Sequence, residues 1–123
     1  MIGNIKKEFQ RLVEIFKDKQ EDSDGILSSK LYKGLGRAGC LDQEYNEHLE
    51  ATRDKYSHNS EHPYYALIPH IQDLTFDECC AMLTFVLRAE RWSDGWFDEC
   101  LSNGNIYELL SRACEVISQE EID

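Results

Sequence analysis

Between Thr75 and Arg91 the chain runs Thr-Phe-Asp-Glu-Cys-Cys-Ala-Met-Leu-Thr-Phe-Val-Leu-Arg-Ala-Glu-Arg. Its opening, Thr75-Phe76-Asp77-Glu78, has the form of a capping box. The threonine oxygen accepts a backbone N–H near Glu78, and the glutamate reaches back to the threonine N–H. Leu74, just before it, is placed to staple onto the first turns. Beyond the box, Cys79, Cys80, Met82, Leu83, Phe85, Val86 and Leu87 put apolar groups on nearly every side of a helix. A helix of that kind has to be surrounded, so Phe76–Arg91 is predicted to be the central, most buried element.

The remaining segments read as helices that could surround it. Ile2, Ile5, Phe9, Leu12, Val13 and Phe16 fall on one stripe at helical spacing, with charged residues opposite. The polar run Gln20–Gly25 ends that helix. Ile26–Gly39 is predicted to be a short helix running out into glycine-rich chain, since Gly34, Gly36 and Gly39 each cost about 1 kcal/mol in a helix interior. It has neither the spacing nor the preceding strand of a phosphate loop. Leu41–Tyr56 reads as a polar helix. Two prolines bracket Pro63–Pro69, which is predicted to be a short extended or single-turn element laid across the core. Ser93 or Asp94 is expected to cap a short helix containing Trp96, Phe97, Cys100 and Leu101, which Asn103-Gly104 ends. Asn105 is expected to cap the last helix, with Ile106, Leu109, Leu110, Ala113 and Ile117 inside and a tail from Gln119 that frays. The predicted fold is all-α: one compact domain over residues 1–123, with about five or six helices around the central one.

Composition narrows the possible roles. The chain of 123 residues is 41% hydrophobic and 30% charged, a globular balance. Its net charge of −11 disfavours direct binding to nucleic acid or an anionic membrane and permits a basic protein partner. The charge is uneven. Residues 1–69 carry 12 acids against 10 Lys and Arg, while residues 70–123 carry 12 acids against Arg88, Arg91 and Arg112. The second half therefore holds −9, and its cations are all arginines. The apolar run near Ala81–Leu87 is too short to span a bilayer, and Met1–Glu8 is charged within its first turns, so a cytoplasmic protein is expected. Cys40, Cys79, Cys80, Cys100 and Cys114 show no framework spacing and read as reduced, mostly buried thiols.

No catalytic or metal-binding pattern stands out. Cys79 and Cys80 are adjacent, so on a helix they point about 100° apart and cannot readily grip one metal. His58 and His62 lie in a loop beside a proline. Asp77 and Glu78 would raise the pKa of a thiol at Cys79 or Cys80, against a nucleophile there. No catalytic residue, metal or cofactor is assigned. The densest signal is Arg88-Ala89-Glu90-Arg91-Trp92-Ser93-Asp94-Gly95-Trp96. Its structural reading is that Arg88 and Arg91 answer the negative end of the central helix, Glu90 and Asp94 pair with them, and Trp92 and Trp96 close the core. Its functional reading is a binding pocket in which the arginines grip an anion and a tryptophan stacks on a planar group.

This segment resembles the DUF6508 family of uncharacterised bacterial domains. Members show an apolar helix, then Arg-Gly-Glu-Arg-Phe-Cys-Asp-Gly, a short helix, a polar residue with Gly, and Leu-Leu-x-Arg-Leu. This chain has Arg88-Ala89-Glu90-Arg91-Trp92-Ser93-Asp94-Gly95, then Asn103-Gly104, then Leu109-Leu110-Ser111-Arg112-Ala113. It departs at Ala89, Trp92, Ser93 and Ala113, and Ser93 removes a thiol the family carries. The resemblance spans Leu74 to Ala113, about a third of the chain. The family has no established activity to carry over. Similar tails on proteins that process ADP-ribose imply a link to that ligand.

Three functional readings follow. The first is a non-enzymatic binding or accessory domain that recognises a protein partner, or a nucleotide-like ligand, through Arg88, Glu90, Arg91, Trp92, Asp94 and Trp96. The second is an acidic inhibitor, such as an immunity or anti-defence protein, that covers a basic groove on a nuclease. The third is an enzyme of ADP-ribose processing with Glu90 or Asp94 as acid–base group, for which no second catalytic partner is identifiable.

Overall fold

The capping box forms as its residues require: in the computed structural model the Glu78 N–H donates to Thr75 Oγ1 (3.2 Å) and the Thr75 N–H donates to Glu78 Oε1 (2.7 Å). The structure describes residues 2–22, 25–56, 62–89, 91 and 93–122, the side chains of 2, 3 and 120–122 excepted. They form α1 (Ile2–Phe16), α2 (Ile26–Arg37), α3 (Tyr45–Tyr56), α4 (Pro63–Leu67), a 3-10 segment (Ile68–Asp73), α5 (Phe76–Ala89), α6 (Trp96–Ser102) and α7 (Asn105–Ile122). No strand occurs among the described residues. The all-α prediction holds, with seven α-helices among the described residues instead of five or six.

α5 is the centre. Residues 79–86 are buried without a break, and Ala89 with them. α3, α6 and α7 pack against it, and α1 packs on α7 and α2. The N-terminal stripe closes the chain's own core: Phe9, Leu12 and Phe16 are buried, with Phe9 edge-on to Phe76 (5.1 Å) and Phe16 edge-on to Phe97 (6.5 Å). Burying side chains of this size contributes roughly 1.5–3 kcal/mol each. Glu8 ties the surface of this corner, accepting from Arg11 of its own helix and from Arg37 of α2 (2.8 Å each).

Local predictions are settled or corrected at several points. Pro63–Leu67 takes the single-turn form of the two expected, as a five-residue helix, and Ile68–Asp73 continues it as the 3-10 segment. Pro63 occupies the first turn, where its missing N–H costs nothing, and His62 Nδ1 accepts the Tyr64 N–H as the cap (3.1 Å). α3 starts at Tyr45, not Leu41, because Asp42 makes a turn of its own. Its Oδ1 accepts the Glu44 N–H (2.9 Å), and its N–H donates to Thr84 Oγ1 of α5 (3.1 Å). α6 has no side-chain cap from Ser93 or Asp94. Gly95, left-handed at φ 85°, leads into it, and the Trp96 N–H donates to the Ser93 carbonyl (3.0 Å). Asn105 is the first residue of α7, and Asn103 Oδ1 accepts its N–H (3.0 Å). α7 continues to Ile122, beyond Gln119.

The glycines of α2 serve opposite ends. Gly34 is buried against α1: a Cβ there would sit 2.9 Å from Leu12 Cδ2. A Cβ at Gly36 would meet Leu41 Cδ1 at an ordinary 3.7 Å. Helix propensity alone would stabilise both alanine variants by about 1 kcal/mol. Gly36→Ala is therefore expected to stabilise by about 0.5–1 kcal/mol. Gly34→Ala is expected to destabilise by about 1 kcal/mol or more, because buried Leu12 must shift. Urea unfolding of the two variants decides it, and equal effects would remove the close approach of α1 and α2.

Candidate functional site

After Ala89 the backbone tightens. The Arg91 N–H donates to the Arg88 carbonyl and the Ser93 N–H to the Ala89 carbonyl (3.2 Å each). This turn divides the Arg88–Trp96 segment between two sides of the molecule. Arg88 and Arg91 face α2. There they line a cavity of about 270 Å³ with Ser28, Ser29, Tyr32 and Leu41. The Arg88 guanidinium lies 6.0 Å from the Tyr32 ring centroid, and Tyr32 is 45% exposed. No ion pair engages Arg88 or Arg91 among the described residues. Arg112 differs: it donates to the Leu74 carbonyl (3.1 Å) and pairs with Glu115 (3.0 Å).

Trp96 lies elsewhere. It is 6% exposed and packs among Tyr64 (5.2 Å), Tyr65 (5.8 Å) and Phe85 (5.9 Å). It lines a separate cavity of about 420 Å³ with His62, Tyr65, Phe85, Asn46, Ala89 and Ser93. Its indole N–H is buried with no acceptor among the described residues, an omission that costs about 1–3 kcal/mol where it persists. Asp94 is exposed on the turn before α6. Glu90 and Trp92 lie outside the described residues. The segment thus contributes to two cavities rather than to one pocket. Its arginines gain Tyr32, Ser28 and Ser29, and its tryptophan gains His62 and Tyr65. None of these five was joined to this segment from the sequence, where His62 was weighed only as a metal ligand with His58, because they belong to α2 and to the start of α4 and no local pattern links them to Arg88–Trp96.

A third cavity, larger than both at about 680 Å³, was also not foreseen. Cys40, Cys80, Asp42, His48, Asp77 and Glu78 are among its lining residues. The Cys80 thiol is pushed up by its hydrogen bond to Cys40 and by burial, while that same bond draws Cys40 down. Cys79 is pushed up to about 12 by burial. A Cys–His dyad is not assembled here. His48 Nδ1 lies 2.6 Å from Asp42 and Nε2 lies 3.7 Å from Glu44, so carboxylates face both ring nitrogens and favour the imidazolium. Cys40, Cys79, Cys80 and Cys100 are buried. No group of three or more His, Cys, Asp or Glu among the described residues could hold a metal ion. No helix among them is long and apolar enough to cross a membrane.

The sequence pattern of a family of unknown function, DUF6508, matches residues 50–119. The chain belongs to the DUF6508 family. The match is wider than the Leu74–Ala113 stretch that carries the motif: it takes in the second half of α3, from Glu50, all of α4 and most of α7 as well as α5 and α6. In this DUF6508 member the aromatic cavity lies within the matched region except for Asn46, whereas the α2 wall of the arginine cavity lies outside it. No curated protein and no solved structure gives a significant match.

Two histidines of these cavities respond to pH in opposite senses. Burial first, and Arg53 next, depress His62 below its ordinary value. Its contribution is present above pH about 6.5 and is lost as pH falls through the folded-state value, when Nδ1 protonates and can no longer cap α4. His48 is raised, chiefly by its hydrogen bond to Asp42. Its contribution is present below pH about 6.5 and is lost as pH rises through the folded-state value. Between pH 7 and 5, His62→Asn should therefore become more stable relative to the parent protein, and His48→Gln less stable. Thermal unfolding across that window checks both signs, and parallel profiles for the two variants would contradict the assignment.

Proposed function

We propose that this DUF6508 domain is a non-catalytic binding or accessory module that grips an anionic group between α2 and the end of α5. The anion belongs to a nucleotide-like ligand or to a protein partner. One observation carries the reading. In a chain of net charge −11, Arg88 and Arg91 line one cavity and engage no carboxylate among the described residues. Two adjacent guanidinium groups offer forked donors suited to phosphate or carboxylate. Ser28 and Ser29 add hydroxyls, and exposed Tyr32 offers a ring for a planar group. The backbone at the start of α2 does not contribute, since the Asp22 carboxylate already accepts the Leu27 and Ser28 N–H groups (2.6 and 3.1 Å). A reducing cytoplasm suits the five free cysteines.

A second reading, the acidic inhibitor, draws on the exposed carboxylates of the C-terminal half, Asp98, Glu99, Glu108 and Glu115 among them. Binding of that kind weakens steeply with salt. A pull-down from nuclease-rich extracts at low and at high salt tests it, and it fails if no partner is released by salt.

The anion reading is tested by thermal shift with inorganic phosphate, AMP, ADP, NAD and ADP-ribose. A ligand at a hundred times its dissociation constant adds about 2.7 kcal/mol. For a domain of this size the midpoint rises by roughly 10 °C. The expected result is a shift with at least one of these compounds that Arg91→Ala removes while its unliganded midpoint stays within about 2 °C of the parent. A shift that survives in Arg91→Ala, or no shift with any of the compounds, overturns the reading.

A further inference from the structure

The cavity beside Trp96 has walls of a particular shape. The Tyr65 and Trp96 rings stand at 87°, Phe85 and Trp96 at 85°, and His62 and Tyr65 at 78°. The Tyr65 and Trp96 rings make the corner, while Phe85 is itself covered by Tyr64, stacked at 5.2 Å, and by His62, tilted at 4.8 Å. We propose that this corner binds a trimethylammonium group, a site separate from the arginine cavity and independent of the reading given for it. Such a cation donates no hydrogen bond and is held by ring faces, whose quadrupole attracts positive charge. Tyr65 is 51% exposed, so the corner opens outward, and the cavity of about 420 Å³ falls in the range of small-ligand sites, roughly 300–1,000 Å³.

Charge favours a cation over a neutral apolar guest. The half of the chain that supplies Phe85, Trp96 and the rest of α5–α7 carries −9. Glu99 acts on the Tyr65 hydroxyl and Glu50 on His62, each as a nearby negative charge. Arg53 opposes Glu50 at His62, and together with burial it keeps that imidazole neutral, so the wall itself does not repel a cation. His62 is further fixed by accepting the Tyr64 N–H on Nδ1.

Two sources share this chemistry, a free choline-like molecule and a trimethylated lysine in a protein. The test titrates the intact protein with choline, with its uncharged isostere 3,3-dimethylbutan-1-ol, and with a trimethyl-lysine peptide and its unmodified counterpart. Isothermal calorimetry and the indole ¹H–¹⁵N resonances are read, with Trp92→Phe assigning the Trp96 signal. The expected result is saturable binding of choline or of the trimethylated peptide that moves the Trp96 resonance. The isostere or the unmodified peptide should bind at least about tenfold more weakly. Exposed Tyr65 is the site to vary. Tyr65→Ala should weaken binding about tenfold or more, while Tyr65→Phe, which keeps the ring, stays within about twofold. Choline binding assigns a small-molecule source, and binding of the modified peptide alone assigns a protein source. Equal binding of the isostere, no effect of Tyr65→Ala in a variant with the parent's circular dichroism, or no saturation with either cation overturns the proposal.

Discussion

A helix that is apolar on every side leaves no face for water, and α5 imposes that condition on the rest of the chain. Its burial from Cys79 to Val86 requires neighbours all round, and α3, α6 and α7 supply them. Two polar devices fix how it is surrounded. The reciprocal Thr75–Glu78 bonds set where it begins. Thr84, buried in its middle, donates to the Cys80 carbonyl and accepts the Asp42 N–H, which anchors the turn between α2 and α3 to the core. A buried hydroxyl without that second partner would cost more than it contributes, so the Asp42 turn and the position of α5 depend on each other.

The periodicity of α5 also explains why a dense motif does not make a single pocket. Phe85 and Ala89, four residues apart, share one face and line the aromatic cavity. Arg88, one residue before Ala89, points about 100° away and, with Arg91 in the turn beyond the helix, lines the cavity against α2. Neighbours in sequence are about 100° apart on a helix, so a nine-residue window around its end reaches more than one side of the molecule.

What could be read from the sequence follows the range of the interactions involved. The Phe9–Leu12–Phe16 stripe, the capping box and the glycine-rich end of α2 depend on residues within a turn or two of each other, and each formed as expected. Gly39, at φ 70°, shows the left-handed stop directly. At Pro63–Leu67 the two prolines left an extended and a single-turn form both open, and the contact that decides for the helix is the cap made by the His62 ring. The short helix after Gly95 was foreseen but its cap was not, since glycine reaches a left-handed turn without side-chain help. For the proposed site, the sequence singled out Arg88 and Arg91, and the structure places them on one cavity. Tyr32 lies 56 positions before Arg88, and only the packing of α2 beside α5 brings them to one cavity.

The arginine cavity works against the field of its own protein. At −11 the chain repels an approaching anion over distance, while at contact two guanidinium groups attract it. These effects have different ranges. Salt at physiological strength screens beyond about 8 Å, which reduces the long-range repulsion while leaving contacts at hydrogen-bond distance largely intact. The usual source of anion affinity at a helix start is also absent: Asp22 satisfies the amides of Leu27 and Ser28 and is itself held through its N–H by Asp98 at the start of α6 (2.7 Å). If the cavity binds an anion as proposed, its selectivity would come from guanidinium geometry and from the Tyr32 ring rather than from diffuse positive potential. On the proposed reading, such a cavity would discriminate against simple anions attracted by charge alone and favour a ligand whose planar part and anionic part are spaced to meet both.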